Sequence, residues 1–209
     1  MLRRITAQFT AEERMLLKRA LVIVLLAGAA FAQTEKSKKN YDKAMVALDR
    51  HNPVAAEKAL KEAVEDSPNW ALAYLELGHV YALFPKNAQA IESLEKAREL
   101  DGKDHQLKMA DRRDLYTRLG ILYGTRKEYG KSIAVLQEGI QNDPDYGGYE
   151  YNLACAYSEA GDLDKAISHL KRAWELRGSF QFPDVNKDSS FKRWRNDPRF
   201  QEVARNLVI

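Results

Sequence analysis

One spacing constrains this chain more than anything else in it. From Tyr116 to Pro144 it reads YTRLGILYGTRKEYGKSIAVLQEGIQNDP. Tyr116, Leu119, Gly120 and Tyr123 share one face of a first helix, and Ser132, Leu136 and Gly139 share one face of a second. Pro144 stops the second helix, because a proline ring cannot follow in a continuing helical turn. The small residues Gly120 and Ser132 stand where the two helices have to touch, flanked by larger apolar residues. The segment is therefore a pair of antiparallel helices that cross too closely for a bulky side chain.

The unit recurs on both sides. Tyr74, Leu77, Gly78, Tyr81, Ala90, Leu94 and Ala97 hold the same offsets upstream, and Leu153, Ala154, Tyr157, Ala166, Leu170 and Ala173 hold them downstream. Gly120 and Ala154 are 34 residues apart. A helix-turn-helix of this period cannot bury its apolar face alone, so neighbours stack into one continuous core. The series of aromatic, Leu-Gly, Tyr, Ala, Leu, Ala and Pro positions resembles the tetratricopeptide repeat (TPR) family over about half the chain. The resemblance implies an all-α, right-handed solenoid of about four helix-turn-helix units with a C-terminal capping helix. It also implies a non-catalytic scaffold or adaptor that binds a peptide or protein.

Four units are expected, at 41–69, 70–102, 111–145 and 146–178. In the first, Tyr41, Ala44, Met45 and Leu48 make one helix, His51-Asn52-Pro53 breaks it, and Ala56, Leu60 and Ala63 line the next. Lys43 stands where Leu is expected, as befits a terminal unit with one face toward solvent. Asn87 reads as the N-cap of the second unit's second helix, and Asp162 as that of the helix from Leu163. Tyr74 and Tyr116 are 42 residues apart, eight beyond the period. The surplus, near 103–110, contains no Pro and is expected to lengthen the third unit's first helix backwards. Residues 179–209 read as the capping region. Asp188-Ser189-Ser190 caps a short helix with Phe191 and Trp194, and Asp197-Pro198 opens a final one with Phe200, Val203, Ala204 and Leu207.

The chain's start has a different character. Lys18-Arg19 precede the uncharged run ALVIVLLAGAAFA, which ends in Ala30-Phe31-Ala32 before Gln33. This run is shorter than the ~20 residues a membrane-spanning helix needs, and basic start, apolar core and small-residue exit mark a secretory signal peptide over 1–32. A true start at Met15 would give the same signal in compact form. Residues 33–40, polar and Lys-rich, read as a flexible lead-in. Export to the periplasm or beyond follows, with a membrane-tethered assembly subunit as the alternative if the signal is uncleaved.

Charge and chemistry narrow the function further. Residues 1–32 hold five basic and two acidic residues, which leaves 28 of each in the remainder. A neutral chain lacks the excess positive charge that sequence-independent nucleic-acid binding requires. Gly130-Lys131-Ser132 is not a phosphate loop: five residues separate Gly124 from Gly130, and the flanks are helical. His51, His79, His105 and His169 show no metal-ligand spacing, and no G-x-S-x-G occurs. Cys155, the only cysteine, reads as a small buried hydrophobe. No catalytic residue, metal, cofactor or small-molecule substrate is indicated. An enzyme would need a polar pocket outside the repeat pattern, around 102–113 or 178–190.

By the family's geometry, first helices line an inner groove. The positions this implies here are Leu75, His79, Leu83, Arg118, Ile121, Thr125, Tyr151, Asn152, Cys155 and Glu159. The family's clamp for a chaperone's C-terminal carboxylate needs two Lys, two Asn and one Arg. Alignment puts Tyr41, Met45, Glu76, Asp114 and Arg118 there, and only Arg118 agrees, so that ligand is rejected.

Overall fold

A computed structural model describes residues 33–207; the signal-peptide reading of 1–32 lies outside them. Eight helices run in antiparallel pairs: α1 (Glu35–Asp49) with α2 (Pro53–Asp66), α3 (Ala71–Ala82) with α4 (Asn87–Asp104), α5 (Met109–Thr125) with α6 (Tyr129–Asn142), and α7 (Gly147–Ala160) with α8 (Leu163–Glu175). Two short 3-10 segments, Arg177–Ser179 and Ser189–Trp194, lead to α9 (Pro198–Asn206). The described residues contain no strand, and no helix among them is long and apolar enough to cross a membrane. The architecture is an all-α TPR solenoid.

The second and third pairs are held at crossings with no room to spare. A Cβ built on Gly78 would lie 2.6 Å from Leu94 Cγ, and one on Gly120 would lie 2.7 Å from Leu136 Cγ. Leu94 and Leu136 are fully buried and branch at the contacted atom, so neither can swing aside. In the third pair the crossing is also tied by a hydrogen bond, as Ser132 Oγ donates to the Gly120 carbonyl at 2.7 Å. The backbone turns left-handed just after the first helix in three of the pairs, at His51 (φ 54°), Lys127 (φ 60°) and Gly161 (φ 93°). Only glycine takes that conformation without steric strain.

Residues 33–40 are not a lead-in. Helix α1 starts at Glu35, with Thr34 Oγ1 accepting from the Ser37 N–H at 3.0 Å. Ser37 and Asn40 are buried. The Thr34 N–H and Ser67 Oγ are 3.1 Å apart, and Ser67 Oγ donates to Ser37 Oγ at 2.8 Å, so a polar stretch is anchored by hydrogen bonds instead of apolar contact. Asn87 is likewise not a cap but the first helical residue; Lys86 holds the cap position and makes no side-chain cap bond.

The surplus between the second and third pairs is divided, not added to α5 alone. Helix α4 has 18 residues against 14 in α2 and α6. Helix α5 begins seven residues before Tyr116, where α3 begins three before Tyr74. Each helix thus gains about one turn. The buried carboxylate of Asp101 secures the joint: Oδ1 accepts from the Leu107 N–H at 2.7 Å and Oδ2 from Arg112 Nε at 2.5 Å. Gln106 reaches back to the start of α3, accepting from the Ala71 N–H at 2.9 Å and donating to the Asn69 carbonyl at 3.0 Å. It supplies a partner to an N–H that Trp70, at the cap position, cannot satisfy.

The C-terminal region is a reduced fifth unit. Phe191, Phe200, Ala204 and Leu207 follow Tyr157, Ala166, Leu170 and Ala173 by 34 residues each, and all four are buried. The Ser189–Trp194 segment stands where a first helix would be and α9 where a second would be. Phe191 and Phe200 stack with ring centroids 5.5 Å apart, Phe200 standing where the preceding units have Ala166 and Ser132.

Gly120→Leu should overpack its crossing and lower stability by ~1–3 kcal/mol or more, and Leu119→Ala should lower it by ~2–5 kcal/mol through the cavity it opens. Thermal melting of both variants checks this, and unchanged midpoints would place the crossing elsewhere.

Candidate functional site

A cavity of about 450 Å3 opens between α5 and α7. Gly120, Ile121, Gly124 and Thr125 form one wall, and Tyr151, Asn152, Cys155, Ala156 and Glu159 form the facing one. Lys127, Tyr129 and Ser132 contribute from the α5–α6 turn and α6. Asp188, Ser189 and Ser190 complete the lining from the shortened fifth unit. Gly124 helps make the space, since a Cβ there would meet only Ser132 Oγ, at 3.9 Å.

The structure thus gathers six of the sequence-predicted groove positions: Ile121, Thr125, Tyr151, Asn152, Cys155 and Glu159. It sets the other four apart. Leu75 is a correction: it is 1% exposed and belongs to the core with Leu115 and Leu119, so it cannot touch a ligand. An apolar side chain gains by leaving water wherever neighbours can cover it. Leu83 is 67% exposed at the end of α3. Arg118 is exposed and bridges to Asp114 four residues back, with Nε 2.7 Å from Oδ2. His79 is held between two carboxylates: Nδ1 lies 3.2 Å from Glu76 Oε2, and Nε2 makes an ion-pair contact with Asp114 Oδ2 off the line of a hydrogen bond.

Asp188, Ser189 and Ser190 escaped the family register, because the fifth unit keeps only part of the repeat. The signal that finds them is the period itself, since Asp188 lies 34 residues after Ala154. Asp188 Oδ2 accepts from the Tyr151 hydroxyl at 2.7 Å, and its Oδ1 accepts from the Ser190 N–H at 2.8 Å. Ser158 Oγ donates to the Ser190 carbonyl at 2.6 Å, fixing the turn against α7. Burial pushes the Cys155 thiol well above its ordinary range, and the nearby Asp188 carboxylate pushes it further. The neutral thiol is a poor nucleophile. No group of three or more His, Cys, Asp or Glu among the described residues can hold a metal ion.

The chain matches two tetratricopeptide-repeat family models, one over residues 41–105 and the other over 114–146 and 151–180. It belongs to the tetratricopeptide repeat family. Solved structures agree. A crystal structure of MamA is 24% identical, covers 77% of this chain and 86% of its own, and superposes with a TM-score of 0.61. MamA from Desulfovibrio magneticus RS-1 is 21% identical over 83% of this chain and 96% of its own, with a TM-score of 0.62. YrrB, described as a TPR protein with an unusual peptide-binding site, is 17% identical over 84% and 93%, with a TM-score of 0.61. At these identities the likeness concerns the fold. No curated protein matches the chain. A TPR array is in general a protein–protein interaction scaffold, typically without catalysis, and its partners are proteins or peptides.

His79, outside the cavity, gives the fold a pH signature. Burial alone would lower its pKa, but the Asp114 and Glu76 carboxylates outweigh burial and hold the imidazolium above the ordinary 6.5. Asp114 is opposed by burial too, yet His79 and Arg118 hold it below the ordinary 3.8. A raised His pKa contributes stability that is complete below 6.5 and lost as pH rises through the raised value. A lowered Asp pKa contributes stability that is complete above 3.8 and lost as pH falls through the lowered value. The melting difference between the wild-type chain and His79→Gln should therefore be largest between those two values and shrink on either side. A difference that grows as pH rises above 6.5 would contradict the ion pair.

Proposed function

We propose that this chain is a non-catalytic scaffold of the cell envelope that holds an extended segment of a partner protein along its first helices, ending at the cavity between α5 and α7. One observation carries the reading: six side chains scattered over 39 residues of sequence, the exposed apolar Ile121 among them, meet in one open cavity. Peptides are held in such sites by apolar contact together with a few placed polar groups. The neighbouring fold of YrrB, described as carrying a peptide-binding site, supports the same use of a TPR array. The raised thiol pKa of Cys155 and the absence of a metal-ligand group among the described residues favour binding over chemistry.

Affinity capture from the native envelope fraction, followed by binding measurements on the captured partner, tests the groove. Ile121→Ser with Asn152→Ala should weaken binding about tenfold or more, as loss of central contacts does, with melting unchanged. Lys96→Ala with Arg172→Ala removes two cations that pair only along their own helices, with Glu99 and Glu175, and should leave binding intact. Loss of binding in the second pair alone would put the partner elsewhere on the surface.

Location in the envelope rests on the Lys18-Arg19, apolar-run and Ala30-Phe31-Ala32 order. Among the described residues, Thr34 just after the expected cleavage point already bonds into the array, to Ser67 and Ser37. Intact mass of the protein from its native host should correspond to a chain beginning at Gln33. Recovery of residues 15–32 on the mature protein would overturn export by cleavage.

A further inference from the structure

The cavity between α5 and α7 has spent most of its hydrogen-bond donors on the protein itself. The Tyr151 hydroxyl donates to Asp188 at 2.7 Å, and the Cys155 thiol points at the same carboxylate oxygen from 4.0 Å. Thr125 Oγ1 donates to the Ile121 carbonyl at 2.9 Å, Ser132 Oγ to the Gly120 carbonyl at 2.7 Å, and Asn152 Nδ2 to the Gly148 carbonyl at 2.8 Å. A hydroxyl whose proton is committed can only accept, and the Asn152 amide, with one of its two N–H groups committed, offers its oxygen and one N–H. What remains in the wall for an occupant is the Asn152 carboxamide oxygen and the committed hydroxyl oxygens as acceptors, beside the Tyr129, Ser189 and Ser190 hydroxyls, which accept as readily as they donate. Glu159 adds a full negative charge. Among the described residues no cation pairs with its carboxylate; Arg193 reaches only its backbone carbonyl, at 3.5 Å. Among the described residues Lys127 is the one cation in the lining.

We propose that this cavity receives the side chain of an arginine from the partner, its guanidinium taken up by the acceptor wall and Glu159, its methylene stem lying along Ile121 and Ala156. The inference rests on the groove reading and adds the chemistry of the occupant. A planar guanidinium offers five N–H donors in fixed directions, which suits acceptors spread around a cavity, and it is more weakly hydrated than an ammonium. An acidic or purely apolar occupant would leave those acceptors unpaired.

The test uses the isotopically labelled full chain, titrated with N-acetyl-arginine amide and followed by backbone amide NMR. Saturable shifts are expected at Ile121, Asn152, Cys155 and Ser190. N-acetyl-norleucine amide, with a comparable stem and no charge, should bind about fivefold more weakly or less, and N-acetyl-glutamate amide not at all. Glu159→Gln should weaken the arginine probe about threefold or more without moving the melting midpoint, since among the described residues its carboxylate makes no hydrogen bond or ion pair. Equal or tighter binding of the norleucine or glutamate probe, an unaffected Glu159→Gln variant, or no saturable shift at these amides would overturn the assignment. If that happens while Ile121→Ser with Asn152→Ala still loses the captured partner, the groove stands and only the arginine falls. If that pair keeps the partner as well, both readings fall.

Discussion

Everything in this molecule depends on two helices being allowed to touch. At Gly78 and Gly120 the backbone of a first helix comes into contact with a fully buried leucine of the second, Leu94 or Leu136, with no space for even a methyl group between them. Contact at that distance makes each pair thin. Thin pairs can stack with their first helices on one side, and it is this alignment that brings α5 and α7 close enough to share a cavity. Dispersion is small per atom pair and falls steeply with separation. A crossing opened by a side chain would therefore lose contact along the whole length of the pair.

Polar contacts then fix how one pair sits on the next. Arg98 of α4 reaches Glu138 of α6, and Lys86 reaches Glu57 of α2. Such pairs contribute little individually when solvent screens them. Asp101 is different in kind: it is buried, and its two oxygens hold both the turn after α4 and the first turn of α5. The longer helices at that point need such a joint, because an extra turn on each would otherwise swing the second half of the array free of the first.

How much of this was legible in the sequence depends on how regular each part of it is. The crossings could be read because Gly, Leu and Ala recur at fixed offsets over a 34-residue period. The start of α1 was missed because Ser37, Asn40 and Ser67 bury themselves through hydrogen bonds, which leave no hydropathy pattern. Leu75 was misplaced because the family register names a position as inward without knowing whether neighbours cover it. Half of the candidate site followed from that register. The Asp188–Ser190 wall did not, because its helix has shrunk to a 3-10 turn and Phe200 stands where the pattern has Ala.

The reduced fifth unit makes the two ends of the stack unequal. A repeat array behaves as a line of coupled segments, each held by its own fold and by its neighbours. Among the described residues the leading segment has a neighbour on one side only, and Val46 and Val54 are 48% and 67% exposed on α1 and α2. The trailing segment is sealed by Phe191, Phe200 and Leu207. Thermal fluctuation should therefore unzip the line from its leading end, and the cavity, three segments away and walled by the seal, keeps its shape while the front of the protein frays.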